Sequence, residues 1–89
     1  PKAAVLYHNR AVGFVSKADF ESAQADFAEA IRLDPRDPDN YFRRGLMWAD
    51  MEEWDRAIAD HTKAIAMKPG LATVFSNRGR AYLGKGDNE

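Results

Sequence analysis

The sequence predicts an all-α fold of stacked, antiparallel helix pairs, and three observations support this fold class. Side chains of the same kind recur every 34 residues. Within each unit, the apolar residues follow the three-to-four-residue spacing of an amphipathic helix. A proline follows the second helical segment of each complete unit, where it ends the helix. A fixed period in this range is typical of a repeat array, in which each unit buries its apolar face against its neighbours.

The 34-residue register divides the chain into two complete units, 4–37 and 38–71, and a half unit, 72–89. The two complete units share eight identical positions: Tyr7/Tyr41, Arg10/Arg44, Ala23/Ala57, Ala25/Ala59, Asp26/Asp60, Ala30/Ala64, Ile31/Ile65 and Pro35/Pro69. Most of these identities fall at helical spacing, so we interpret them as equivalent faces of equivalent helices.

Five helices are expected in order along the chain, at 4–16, 20–33, 38–51, 54–67 and 72–84. The first is indicated by Tyr7, Ala11 and Phe14, which share one helical face. Asp19 suits the N-cap of the second helix, and Pro35 lies just past its end.

The second unit and the half unit repeat this pattern. Asp37 followed by Pro38 is a typical start for the third helix. The fourth helix begins near Trp54 and ends before Pro69. The fifth carries an aromatic residue, Phe75, at the position of the first aromatic residue in each complete unit.

Composition narrows the possible partners. The chain is 45% hydrophobic and 30% charged, with a net charge of −1, which is typical of a folded soluble protein. A near-neutral balance provides no basic surface for nucleic acid or anionic membrane. No apolar stretch approaches the roughly 20 residues that a membrane-spanning helix needs. We therefore expect neither nucleic acid nor a membrane as a partner.

No catalytic, cofactor or metal site is expected. The two histidines, His8 and His61, are 53 residues apart, without the i, i+4 partner of a helical metal site. The chain has no cysteine, and its serines show no motif that places a nucleophile beside a base. The sequence therefore predicts a protein that is not an enzyme and uses no cofactor.

The repeated positions resemble the tetratricopeptide repeat over residues 4–89. They are Tyr7, Ala11, Phe14, Ala23, Phe27, Ala30 and Pro35; then Tyr41, Gly45, Trp48, Ala57, His61, Ala64 and Pro69; and in the half unit Phe75, Gly79 and Tyr82. The resemblance implies a right-handed α-solenoid. It also implies that peptides or partner domains bind a concave face built mainly from the first helix of each repeat. The residues of these repeats resemble those of bacterial or archaeal members of the family more closely.

One position departs from that pattern. His61 stands where the first unit has Phe27. Because a buried imidazole needs a hydrogen-bond partner, we expect the packing around His61 to be softer, or its side chain to be partly exposed.

The resemblance implies fourteen side chains at concave positions, including Ser16 and Asp50, and the other twelve are our candidates for contact with a peptide or partner. They are Val5, His8, Asn9 and Val12; Asp39, Phe42, Arg43 and Leu46; and Thr73, Ser76, Asn77 and Arg80. An arginine can bind a carboxylate with two hydrogen bonds, so we expect an acidic peptide or a C-terminal carboxylate near Arg43. The alternative is that these residues are only solvated, and that a longer array contacts the ligand elsewhere.

Members of the family that bind the acidic C-termini of heat-shock chaperones carry Lys, Asn, Asn, Lys and Arg at five positions. The corresponding residues here are His8, Val12, Arg43, Thr73 and Asn77. None matches, so this carboxylate clamp is not expected.

Two charged positions also recur. Arg10, Arg44 and Arg78 share one position of the repeat, and Asp26 and Asp60 share another. We interpret them as structural ion pairs rather than a binding stripe. Whether Arg44 pairs with Asp60 in its own unit or with Asp26 in the previous unit is open at this point.

A second function is self-assembly into a homo-oligomer. Phe75, Tyr82 and Leu83 give the fifth helix an apolar side that would pack against a following helix in a longer array. We expect this side to be exposed and to favour self-association.

Overall fold

The computed structural model describes residues 2–86. Five helices follow in order: α1 (Lys2–Ser16), α2 (Phe20–Leu33), α3 (Pro38–Asp50), α4 (Trp54–Met67) and α5 (Ala72–Lys85). Within these residues there is no strand, and the predicted all-α fold is confirmed. The first helix begins two residues earlier than expected, and residues 87–89 of the predicted half unit lie outside the described part. Between residues 2 and 86, no helix combines the length and apolar character that crossing a membrane requires.

Short turns join the helices, so consecutive helices run antiparallel. The closest packing is between α1 and α2, between α3 and α4, and between α4 and α5. In addition, α1 contacts α3 and α3 contacts α5, which places the three odd-numbered helices side by side. We call the surface that they share the odd-helix face; it corresponds to the predicted concave face.

The helix starts follow from local chemistry. The Asp19 carboxylate accepts a hydrogen bond from the backbone N–H of Ser22 at 3.3 Å, and the Asp37 carboxylate accepts one from Asp39 at 3.0 Å. Both predicted caps are therefore confirmed. The turns within the complete units share an unexpected feature: Ala18 and Glu52, which are 34 residues apart, both have a φ of 58°.

The core is built from alternating small and large side chains. Alanines let the paired helices approach closely, while larger side chains fill the space beside them. The buried cluster consists of Ala11, Ala23, Phe27, Met47, Trp48, Ala57 and Ala81. Gly84 shows the same principle on α5, because a Cβ at this position would lie 2.6 Å from the Trp54 ring.

The repeated charges form ion pairs within each complete unit. Arg10 donates two hydrogen bonds to Asp26, at 2.7 and 2.9 Å, and Arg44 donates two to Asp60 at the same distances. This pairing answers the question that the sequence left open and confirms the structural interpretation. Hydrogen bonding to Arg10 lowers the pKa of Asp26, and hydrogen bonding to Asp60 raises the pKa of Arg44.

The expected exposure of His61 is wrong. Its side chain is 0% exposed, and neither ring nitrogen has a hydrogen-bond partner. Gly45 makes this burial possible, since a Cβ there would lie 2.6 Å from the His61 Cε1 atom. Burial lowers the pKa of His61, because the surrounding core disfavours the charged imidazolium.

Candidate functional site

All twelve candidate residues lie on α1, α3 and α5, and none of them is buried. Each of these helices contributes four of the side chains. Every residue that the resemblance implied for contact with a partner therefore lies on one of the helices that form the odd-helix face, although only some of them line a shared cavity.

The first cavity on this face lies between α1 and α3 and has a volume of about 250 Å³. Its lining is mainly apolar, with one basic and one acidic side chain: Val12, Val15, Ser16, Phe27, Arg43, Leu46 and Asp50. Phe27 belongs to the buried core, so the cavity reaches down to the interior of the first unit. A space of this size suits a single apolar side chain of a ligand better than a whole small molecule.

The second cavity lies near the N-terminal ends of α3 and α5 and has a volume of about 580 Å³. Its lining combines apolar side chains with two acidic and two basic ones: Asp37, Pro38, Asp39, Phe42, Arg43, Lys68, Leu71, Thr73 and Val74. Arg43 borders both cavities. A ligand that occupied both cavities would therefore pass Arg43 and contact its side chain.

Arg43 remains accessible in this position. Its side chain is 46% exposed, and its guanidinium carbon lies 5.5 Å from the centre of the Phe42 ring. Its Nε atom is 3.7 Å from an oxygen of Asp39, one helical turn away. That separation is an ion pair rather than a hydrogen bond, so Arg43 keeps donors for a ligand.

His8 connects the first unit to the second. Its Nδ1 atom donates to the amide oxygen of Asn40 at 2.7 Å, and its Nε2 atom lies 3.3 Å from the other oxygen of Asp39. The His8 ring meets the Phe27 ring edge-on at 6.0 Å. Asn40 is buried, so this contact fixes the orientation of His8. Asp39 consequently lies between His8 and Arg43.

The remaining candidates are less closely associated. Val5, Asn9, Ser76 and Arg80 line neither of the two cavities. The Asn77 amide donates to the backbone oxygen of Thr73 at 2.9 Å, within its own helix. Asn9, Arg43 and Asn77 occupy the same position of the repeat. Of these three residues, only Arg43 borders the two cavities.

Sequence reasoning missed three contributors to this surface. Val15 lines the first cavity, Lys68 lines the second, and Asn40 holds His8. Val15 lies three residues after Val12, and that spacing could have identified it. Lys68 follows the end of α4, and its approach to α3 depends on how neighbouring units stack.

In residues 2–86, no group of three or more histidine, cysteine, aspartate or glutamate side chains could hold a metal ion.

The side of α5 that was predicted to self-associate is open to solvent. Phe75 is 44% exposed, Tyr82 38% and Leu83 62%. Lys85, near the end of the same helix, pairs with Asp55 of α4 at 2.9 Å. The inner side of α5 is thus attached to the second unit, while its aromatic outer side remains accessible.

Similar proteins are found among eukaryotes. The chain is 36% identical over 72 residues to the Hsp70-Hsp90 organizing protein of Triticum aestivum, a match covering 81% of this chain and 12% of the relative. It is 26% identical over 87 residues to a tetratricopeptide repeat and J domain-containing co-chaperone of Cryptococcus neoformans, covering 98% of this chain and 16% of the relative. The match therefore concerns a short segment of each relative, and the predicted bacterial or archaeal origin has no support here.

A solved structure has the same fold. The N-terminal domain of stress-induced protein-1 from C. elegans matches with a TM-score of 0.92 at 20% sequence identity, covering 98% of this chain and 74% of that one. No family profile matches the chain.

Proposed function

We propose that this chain, which has the all-α solenoid fold of tetratricopeptide repeats, is a non-catalytic protein-interaction module that binds a peptide segment along its odd-helix face. The observation that carries the proposal is the position of Arg43, an accessible guanidinium that borders two cavities on one surface. The co-chaperones among the relatives support a role in protein–protein interaction.

The first cavity and Arg43 favour different parts of a ligand. The apolar walls of the first cavity, including Val12 and Leu46, suit one aliphatic side chain, whose burial is worth about 1.5–3 kcal/mol. Arg43, at its edge, suits a carboxylate, and such a charged hydrogen bond contributes about 1.5–3 kcal/mol. The proposed ligand is therefore an extended or helical peptide with an aliphatic residue and at least one acidic residue beside it.

One relative is named for Hsp70 and Hsp90, but the clamp that the family uses for chaperone C-termini is not reproduced. The five corresponding side chains are His8, Val12, Arg43, Thr73 and Asn77. The first, fourth and fifth offer no lysine or arginine, and Val12 cannot form hydrogen bonds through its side chain. We propose that the ligand is recognised through Arg43 and the apolar cavity instead.

Arg43→Ala is expected to weaken the binding of acidic peptides about tenfold, because it removes a charged hydrogen bond. A peptide-array screen would identify binders, and fluorescence anisotropy would measure their affinities. Arg36→Ala is the matched control, since Arg36 lies in the turn between α2 and α3 and lines neither cavity. If Arg43→Ala and Arg36→Ala both bind acidic peptides as tightly as the unmodified chain, the proposal that Arg43 receives the carboxylate of the ligand is wrong.

Self-association is the second candidate function, and the exposed aromatic side of α5 favours it. Tyr82 and Leu83 follow Phe75 by seven and eight residues along α5, which is about two helical turns. The three side chains therefore share one side of the helix and can act as one apolar surface. We propose that a second copy covers this surface at high concentration.

Leu83→Glu is expected to abolish any concentration-dependent increase in mass, because a buried carboxylate would oppose contact between copies. Sedimentation equilibrium over a wide concentration range would measure it. Leu6→Glu makes the same change at a leucine that is 69% exposed on α1 and should leave self-association intact. A strictly monomeric mass for the unmodified chain at the highest concentration would count against this function.

A further inference from the structure

Asp39 lies where a ligand would have to approach Arg43. One carboxylate oxygen is 3.7 Å from the Nε of Arg43, and the other is 3.3 Å from the Nε2 of His8. The Asp39 side chain is 51% exposed, and it lines the second cavity together with Arg43. The binding face therefore already contains a carboxylate directed at its central arginine.

We propose that Asp39 determines the specificity of this face by acting as an internal competitor for the carboxylate of the ligand. The proposal rests on the proposed function, in which Arg43 receives an acidic group. While Asp39 is paired with Arg43, a single weakly held carboxylate gains little, because it replaces one ion pair with another.

The charges around the second cavity extend this argument to a class of partner. Asp37 and Asp39 balance Arg43 and Lys68, so the cavity has no net charge. A peptide with one carboxylate can engage only one of the two cations, and at Arg43 it competes with Asp39. A peptide with two or more neighbouring carboxylates can engage both Arg43 and Lys68, so it has a second contact with which to displace Asp39. The selected partner is therefore a multiply acidic segment.

The position of Asp39 on α3 keeps its carboxylate beside Arg43, because the two residues are one helical turn apart. The second carboxylate oxygen lies 3.3 Å from the Nε2 of His8, whose ring is fixed by the buried amide of Asn40. The pair with Arg43 is loose, because it is 3.7 Å long and joins side chains that are both about half exposed. A ligand can therefore take Arg43 from Asp39, while the carboxylate remains at the same position of α3 and repels weakly acidic competitors.

The test uses the full 89-residue chain and two fluorescein-labelled octapeptides. One peptide carries a leucine followed by a single glutamate, and the other a leucine followed by three glutamates; both have an amidated C-terminus. Asp39→Asn is expected to strengthen binding of the single-glutamate peptide about 3- to 10-fold, the range for losing one exposed charge repulsion and one exposed ion pair. The ratio between the affinities of the two peptides should shrink.

Two further variants isolate the mechanism. Asp37→Asn removes a negative charge from the same cavity but keeps a side chain that caps α3 equally well, so its effect on the single-glutamate peptide should be smaller. In the double variant Asp39→Asn with Arg43→Ala, the gain should vanish, because no guanidinium remains to be released. Circular dichroism checks that each variant keeps its helical content.

The outcomes separate this inference from the function on which it rests. If Arg43→Ala weakens binding but Asp39→Asn leaves both affinities unchanged, Asp39 is not a competitor and the proposed function survives. If Asp37→Asn strengthens binding as much as Asp39→Asn, general charge explains the effect and the inference fails. If neither the unmodified chain nor Asp39→Asn binds either peptide, the proposed function fails and the inference with it.

Discussion

Asp60→Ala is expected to lower the free energy of unfolding by about 3–5 kcal/mol, the cost of breaking a buried ion pair by removing one partner. Asp60 is buried and accepts three hydrogen bonds, two from Arg44 and one from the Trp48 Nε1–H at 2.9 Å. Its loss leaves three N–H donors, two on Arg44 and one on Trp48, without their acceptor in the second unit. Urea denaturation followed by circular dichroism would measure the change.

The first unit supplies the matched control. Asp26 makes the equivalent pair with Arg10, but the Arg10 side chain is 61% exposed and that of Arg44 only 24%. Phe14 stands where the second unit has Trp48, so no indole N–H is involved. Water can solvate Arg10 after Asp26→Ala, and we therefore expect a clearly smaller loss. Equal losses in the two units would show that the indole and the deeper burial contribute nothing.

His61→Phe is expected to stabilise the protein by about 1–3 kcal/mol at pH 7.5, the range for removing buried polar atoms that lack partners. Phe27 shows that a phenyl ring fits the equivalent slot, where it is 1% exposed opposite Ala11. Gly45, opposite His61, leaves at least as much space. A midpoint of urea denaturation that moves to lower concentration would contradict this expectation.

The gain should increase as the pH falls. Burial lowers the pKa of His61 below its ordinary value of 6.5, so in the window below pH 6.5 the unfolded chain binds more protons than the folded one. Each proton taken up on unfolding destabilises the native state, and phenylalanine removes this contribution. Denaturation at pH 7.5, 6.5 and 5.5 should therefore show a growing difference between the variant and the unmodified chain. A constant difference would mean that His61 is not kept neutral by the fold.

The two units place histidine and phenylalanine in opposite order. In the first unit, His8 lies outside the buried Phe27 ring and reaches Asn40 and Asp39 of the next unit. In the second unit the order is reversed, with Phe42 placed 5.8 Å from the buried His61 ring. The outer position, which has polar neighbours in the first unit, is thus occupied by phenylalanine in the second, and the histidine is in the core, where its ring nitrogens have no partner.

The helices and their order could be predicted from the sequence because they depend on local patterns. The 34-residue period, the helical spacing of Tyr7 and Ala11, and the caps Asp19 and Asp37 act within one helix or one turn. The same spacing assigned candidate residues to the faces of helices. It could not supply the distances between side chains on different helices, because those distances depend on how the units rotate against each other.

The sequence by itself thus determined the all-α repeat and the surface that its odd-numbered helices present. Only the tertiary structure decided which side chains meet on that surface. It paired Arg44 with Asp60 rather than Asp26, placed Asp39 between His8 and Arg43, and buried His61 without a partner. Each of these outcomes depends on contacts between helices, where equal positions in the repeat have different neighbours. A periodic sequence predicts equivalent positions, but the packing of the helices determines what surrounds each of them.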